Sequence, residues 1–110
     1  MTRAEAGSRI FTYAEAVELM PIVRRLTEQA YRRVESLAAS GRAESEIRAD
    51  TDTVVGEWAR ALLEMGLEVK GLWLVDFDNG SGYYCWRYPE AGLDWFHSYE
   101  EGFGGRIRIQ

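Results

Sequence analysis

The sequence predicts an α+β fold in which a long antiparallel αα-hairpin packs on a small antiparallel β-sheet. Apolar residues recur at spacings of three and four through the first 66 residues, which is typical of amphipathic helices. From residue 67 onward the apolar period changes to two, which is typical of strands. Residues 67–110 also carry ten of the fourteen aromatic residues, and aromatic residues favour strands.

The chain has 110 residues, a length typical of one domain. Neither part is expected to bury its apolar face alone, so we expect the two to pack on each other. We therefore predict a single domain over residues 1–110. It consists of a flexible tail at 1–9, a helical hairpin at 12–66 and a β-rich aromatic half at 67–109.

The first helix has a clear start signal. Thr12 is followed three residues later by Glu15, the spacing of a capping box, in which each side chain accepts a hydrogen bond from the other residue's backbone N–H. The apolar stripe continues to about Ser40, where Gly41 is a natural C-cap. Pro21 lies inside this stretch and is expected to kink the helix near its second turn.

The second helix is predicted from Ala43 to Met65, with Gly66 ending it. The short turn between the two helices makes them antiparallel neighbours. Alternating apolar residues then predict strands, with Asp-Asn-Gly-Ser-Gly at 78–82 as a turn and Pro89 as a stop. The predicted strands are residues 67–70, 72–77, 83–88, 94–99 and 106–109.

Charge and composition exclude several classes of function. The net charge of −5 argues against nucleic-acid binding, which needs clustered Lys and Arg. The pairs Arg24-Arg25 and Arg32-Arg33 alternate with Glu28 and Glu35, and we interpret them as a solvated ion-pair face. No apolar stretch approaches the roughly 20 residues of a membrane span, and the polar N-terminus does not resemble a signal peptide. We therefore expect a cytoplasmic domain.

Distinctive spacings run through the β-rich half: Val69-Lys70, Gly71-Leu72, Val75-Asp76-Phe77, Cys85-Trp86, Glu90, His97 and Glu101-Gly102-Phe103-Gly104-Gly105-Arg106. The opening of the first helix, Phe11-Thr12-Tyr13-Ala14-Glu15-Ala16, precedes them. Together, over about residues 10–109, these motifs resemble the bacterial and archaeal family known as domain of unknown function 2203. The resemblance implies no particular activity.

Six polar residues lie on or beside the predicted strands and form the candidate site. Strand alternation places Asp76, Cys85 and Arg87 on one face of a hairpin, where Asp76 and Arg87 are predicted to pair. An ion-pair network that orders the sheet is the favoured interpretation, and a functional cleft is the alternative. Lys70 stands out because it is the only lysine beside twelve arginines. The six residues are Lys70, Asp76, Arg87, Glu90, His97 and Arg106.

A divalent metal is the cofactor that this half could hold, with His97, Glu90, Glu101 and Cys85 as candidate ligands. There is no paired-Cys or paired-His spacing, and Cys85 also fits a small buried hydrophobic residue of a strand. A nucleophilic pair of Cys85 and His97, oriented by Asp76 or Glu90, is a second possibility.

The aromatic residues have two interpretations, a core beneath the helices or a ligand cage. We predict core positions for Trp58, Trp73 and Trp86, and leave both interpretations open for Tyr83, Trp95 and Tyr99. The glycine-rich run at 102–106 lacks the strand-before, helix-after context of a phosphate loop. We expect a tight crossing there, with Arg106 folding back on a carboxylate.

Two functions follow from these features. The favoured hypothesis is a non-enzymatic module that binds itself or a partner, with a homodimer formed through the apolar faces of the helices. The alternative is a metal- or small-ligand-binding protein or enzyme that uses a His/Glu/Cys cluster in the C-terminal third. Whether the protein catalyses a reaction is left open.

Overall fold

The computed structural model describes residues 9–109, so residues 1–8 of the predicted tail lie outside the described residues. It confirms the predicted α+β class, because two long helices precede five strands within the described part of the chain. The helices are α1 (Tyr13–Ala38) and α2 (Glu44–Glu64), and the strands are β1 (Glu68–Gly71), β2 (Leu74–Asp78), β3 (Gly82–Arg87), β4 (Trp95–Ser98) and β5 (Ile107–Arg108).

The capping box that begins α1 is present. Thr12 Oγ1 accepts a hydrogen bond from Glu15 N at 3.1 Å, and Glu15 Oε1 accepts one from Thr12 N at 2.9 Å. The helix continues through Pro21 and ends at Ala38, close to the predicted end at Ser40. Its buried stripe, which faces α2 and the sheet, consists of Ala16, Met20, Val23, Thr27 and Ala30.

A buried hydrogen bond joins the two helices. Trp58 Nε1 on α2 donates to Thr27 Oγ1 on α1 at 2.8 Å, so the indole N–H is satisfied inside the core. The chain leaves α2 through Gly66, whose φ of +92° favours glycine. Neither helix of the described chain combines the length and the apolarity that crossing a membrane requires.

The five strands form an antiparallel meander in the order β1-β2-β3-β4-β5. Asp76 on β2 lies opposite Cys85 on β3, and Tyr83 on β3 lies opposite His97 on β4. Because side chains alternate along a strand, one face of the sheet is apolar and packs under the helices, and the other carries these polar residues. The apolar face includes Val69, Val75, Phe77, Tyr84 and Trp86.

One predicted strand begins later than expected. Residues 72–77 were predicted as a strand, but β2 begins at Leu74, and Trp73 has a left-handed φ of +64° in the turn before it. The ring of Trp73 lies 5.0 Å from that of Trp58 and 5.8 Å from that of Tyr31, centroid to centroid. This aromatic contact with both helices outweighs the strand propensity of the residue. Trp58 and Trp86 are buried as predicted, and Trp73 is half-buried against the same core.

Candidate metal-binding site

The C-terminal segment from Tyr99 to Arg106 covers the face of the sheet that is turned away from the helices. It contains one turn of 3₁₀-helix at Phe103–Gly105, after which Arg106 reaches to within 3.9 Å of Cys85 Sγ. Cys85 and Asp76 are therefore completely buried, although no α-helix covers them. The segment encloses a polar layer on a sheet face that is usually solvated in an antiparallel sheet.

Arg106 fastens this segment to the sheet. Its guanidinium donates to both carboxylate oxygens of Glu90, at 3.1 and 2.8 Å, and only 11% of its side chain is exposed. The same group lies over the rings of Phe103 and Trp95, at 3.9 and 4.7 Å from their centroids. Arg106 thus folds back on a carboxylate as the sequence predicted, with a planar group suited to paired hydrogen bonds and stacking.

Glu90 is itself held by residues from two elements. Its backbone carbonyl accepts hydrogen bonds from Trp86 Nε1 at 2.9 Å and from Arg24 Nη2 at 2.7 Å. The loop around it contains a cis peptide bond between Tyr88 and Pro89. Arg24 was predicted to lie on a solvated ion-pair face, and this is wrong, because its half-buried guanidinium binds the Glu90 loop.

Asp76, Cys85 and His97 meet at the centre of the covered face. One ligand atom from each, a carboxylate oxygen, the thiol sulfur and an imidazole nitrogen, all lie within 4.8 Å of one another. His97 Nε2 lies 3.0 Å from Asp76 Oδ2, and its Nδ1 lies 2.9 Å from the carbonyl oxygen of Ser98. The other carboxylate oxygen, Asp76 Oδ1, is buried with no hydrogen-bond partner among the described residues.

The hydrogen bonds of His97 fix how many protons the cluster holds. A carbonyl oxygen only accepts, so the Nδ1 that faces Ser98 must carry a proton. Nε2 and Asp76 Oδ2 would then be two acceptors at 3.0 Å unless one more proton lies between them. The cluster therefore requires a shared proton, or another cation, between the imidazole and the carboxylate.

Burial sets the protonation of the other groups. It raises the pKa of Asp76, and His97 and Lys70 oppose the rise through their positive charge. It also raises the pKa of the Cys85 thiol to about 12, with the Asp76 carboxylate adding to the effect. A thiol with that pKa is ionised to only about one part in 10⁵ at pH 7. The raised pKa of the thiol thus argues against Cys85 acting with His97 as a nucleophilic pair.

Lys70 lies beside the cluster on β1. Its Nζ is 3.2 Å from Glu68 Oε1, 3.8 Å from Asp76 Oδ2 and 4.0 Å from the centroid of the Tyr83 ring. The predicted pairing of Asp76 with Arg87 is wrong, because Arg87 lies opposite Leu74 and its guanidinium lies over the Phe103 ring at 5.3 Å. Lys70 and His97 are the basic partners of Asp76 among the described residues.

A cleft of about 320 Å³ opens onto the cluster from the solvent. Asp76 and His97 line its inner part, and Lys70 lines one wall. Glu101 is held at its mouth, where its Oε1 accepts a hydrogen bond from Ser98 Oγ at 3.3 Å. The remaining lining residues are Leu74, Tyr99, Glu100, Gly102 and Phe103.

The structure regroups the predicted metal ligands. His97 and Cys85 lie together, but with Asp76 rather than with the two predicted glutamates. The Glu90 carboxylate is taken up by Arg106, and that of Glu101 lies at the cleft mouth. Strand alternation already placed Asp76 and Cys85 on one face, and this was the available signal for Asp76 as a ligand.

Comparison with known proteins gives one match. A family model described as "Uncharacterized conserved protein (DUF2203)" matches residues 9–109, which include both helices, the whole sheet and every residue of the cluster. No curated protein and no solved structure matches the chain.

Proposed function

The chain belongs to the family of uncharacterized conserved proteins DUF2203, and we propose that it is a metal-binding domain whose Asp76, Cys85 and His97 hold one divalent transition metal ion. The observation that carries this proposal is the contact between His97 Nε2 and Asp76 Oδ2. Two buried acceptors meet there at 3.0 Å, and a third ligand atom lies within 4.8 Å of both. A metal ion replaces the shared proton and binds all three.

The charges of the cluster support this exchange. With the shared proton in place, the His97–Asp76 pair carries no net charge and the thiol is neutral, so the cluster sums to zero. With a divalent metal, a neutral imidazole, a carboxylate and a thiolate also sum to zero. A buried site therefore holds either state without an uncompensated charge, which would be strongly unfavourable there. Lys70 and Arg106 add no net charge beside the cluster, since Glu68 and Glu90 pair with them.

The ligand types favour zinc among the divalent metals. Nitrogen, oxygen and sulfur ligands are those of Zn²⁺, and three protein ligands with one open position are typical of its non-structural sites. The hydrogen bond from His97 Nδ1 to the Ser98 carbonyl orients the ring with Nε2 toward the metal, a common arrangement for ligating histidines. The reduced thiol that such a site needs suits the predicted cytoplasmic location.

Cobalt(II) in place of zinc gives a direct test. Addition of Co²⁺ to chelator-treated protein is expected to produce a thiolate-to-cobalt charge-transfer absorption that saturates at one ion per chain. Cys85→Ser should abolish that absorption, and His97→Gln should weaken binding about ten-fold or more. Asp94→Asn, which changes a half-buried aspartate outside the cluster, is the matched control and should bind normally. If the wild-type protein is folded, as judged by circular dichroism, but does not bind one cobalt ion per chain, the proposal is refuted.

A second candidate function is self-association through α1. Tyr13 and Val17 are about 40% exposed on one side of this helix, and with Met20 and Leu93 they line a groove of about 500 Å³. A second copy that docks its own α1 there would remove these apolar side chains from water. Sedimentation equilibrium should then show a dimer that Val17→Asp converts to a monomer. A wild-type monomer at high micromolar concentration would eliminate this candidate.

A further inference from the structure

We infer that the cleft over the metal-binding site takes a small zwitterionic carboxylate of the α-amino-acid class as its ligand. This inference rests on the proposed metal site and concerns its open position. Asp76 is completely buried and His97 is 4% exposed, yet both line the inner part of the cleft. A ligand in the cleft therefore meets the Asp76 and His97 side of the metal-binding site.

Lys70, which lines the cleft, favours an anionic group in the ligand. Its ammonium has three donor hydrogens, and among the described residues Glu68 Oε1, at 3.2 Å, is the carboxylate oxygen within hydrogen-bond range. Asp76 Oδ2, at 3.8 Å, is beyond that range. The side chain is 37% exposed, so a further donor is available to the cleft. A carboxylate there can place one oxygen at the open position and the other at Lys70.

Glu100 and Glu101 select a cationic group. Both line the cleft and both are exposed, so together they give its mouth a negative potential. That potential disfavours anions of higher charge, such as phosphate, and favours a ligand that carries an ammonium beyond its carboxylate. The remaining donor of Lys70 suits the carboxylate of an amino acid, and the exposed carboxylates of Glu100 and Glu101 suit its ammonium.

Volume limits the size of the ligand. At about 320 Å³ the cleft lies at the lower end of the range for small-molecule pockets. Leu74 and the half-buried Phe103 supply the apolar part of its wall. A short aliphatic side chain fits this surface, so small amino acids are the expected class.

The experiment uses the whole protein loaded with Co²⁺ and compares L-alanine, propionate and phosphate as probes. Propionate is L-alanine without its ammonium group, so their difference measures the total contribution of the amino group. The Glu100 and Glu101 variants then separate the effect of the acidic mouth from chelation of the metal by the amine. The thiolate-to-cobalt absorption reports that the metal stays bound, and the visible d–d bands report a ligand at the open position. L-alanine should bind about ten-fold more tightly than propionate, and phosphate should leave the visible bands unchanged.

Two variants locate the selectivity. Lys70→Gln should weaken both carboxylates about ten-fold and leave the charge-transfer absorption intact, since one charge-assisted hydrogen bond is lost. Glu100→Gln combined with Glu101→Gln should bring L-alanine and propionate to within about three-fold of each other. Glu64→Gln, an exposed glutamate at the end of α2, is the control and should change neither.

The outcomes separate the two proposals. Absence of the charge-transfer absorption refutes the metal site itself. If that absorption is present, any one of three results overturns the inference of a zwitterionic ligand. These are that no probe shifts the visible bands, that propionate binds as tightly as L-alanine, and that phosphate binds more tightly than either.

Discussion

Replacement of Arg106 by lysine tests whether one side chain keeps the metal-binding cluster buried. Lysine keeps the positive charge, but it lacks the planar pair of donors that matches both oxygens of Glu90, and it cannot stack flat on a ring. We expect the Tyr99–Arg106 segment to detach locally and to expose Cys85, which is completely buried in the wild type. The α-helices and the apolar core should remain intact, because the segment lies on the opposite face of the sheet.

The magnitude follows from the contacts that are lost. One of the two hydrogen bonds to Glu90 disappears, at about 1.5 kcal/mol, the lower end for a charged partner because a quarter of that side chain is exposed. Stacking against Phe103 and Trp95 contributes about 1 kcal/mol more. The sum of about 2.5 kcal/mol corresponds to a fall in Tm of about 10 °C for a domain of this size. If opening is local, it also corresponds to labelling of Cys85 about 60-fold faster.

The assay follows the reaction of Cys85 with a disulfide reagent in chelator-treated protein, alongside thermal unfolding. Cys85 is the only cysteine, so the signal reports one position. Arg108→Lys is the matched control, because Arg108 also lies over the Trp95 ring, at 5.0 Å, but is exposed. It should change neither the labelling rate nor Tm appreciably. A double-mutant cycle with Glu90→Gln isolates the pairing from the stacking.

The same labelling rate in Arg106→Lys and in wild type, with Tm lowered by less than about 3 °C, would refute this reasoning. The segment would then be held by its backbone contacts and by Phe103. A large fall in Tm without faster labelling would show that Arg106 stabilises the whole domain and does not specifically hold the cover over Cys85.

Three further predictions concern the core and the protons of the site. Thr27→Val leaves the buried Trp58 N–H without its acceptor and should lower the free energy of unfolding by about 1–3 kcal/mol in urea titrations. In a Trp58→Phe background, which has no N–H to leave unpaired, the same Thr27→Val substitution should cost much less. In metal-free protein the unfolded Cys85 thiol loses its proton near pH 9, while the folded thiol keeps its proton up to about pH 12. The folded state therefore binds more protons in that window, so stability should fall by up to about 1.4 kcal/mol per pH unit above pH 9, and Cys85→Ser should show a shallower dependence. Metal binding at neutral pH should release about two protons per ion, one from Cys85 and one from the Asp76–His97 contact, as measured by calorimetry in buffers of different ionisation enthalpy; release of none would contradict the proton count.

Local patterns were sufficient for the elements of the fold. The capping box at Thr12 and Glu15 located the start of α1, and both helices end within about two residues of their predicted ends. Alternation along β2 and β3 also assigned Asp76 and Cys85 to the same face. These predictions succeeded because each depends on neighbours in sequence and on one period.

The composition of the site depended on contacts that no local pattern contains. His97 reaches Asp76 because β4 pairs with β3 in a register that places it opposite Tyr83, two strands away from its partner. Register of this kind is set by long-range packing and turn geometry. The prediction that Trp73 lies in a strand failed for a similar reason, because its place between Tyr31 and Trp58 fixes a backbone conformation that its own propensity opposes.

Arg24 shows why the helices matter for a site that they do not touch. Arg24 binds the carbonyl of Glu90, the carboxylate of Glu90 binds Arg106, and Arg106 lies against Cys85. A continuous chain of polar contacts therefore runs from α1, around the edge of the sheet, to the cluster on its far face. In the two links to Glu90 a guanidinium donates to an oxygen, and these charge-assisted hydrogen bonds hold the C-terminal segment on the sheet without a second helical layer to pack on it. The polar network favoured from the sequence and the metal-binding site proposed from the structure are then two parts of one arrangement, because the network provides the burial on which the ligand set depends.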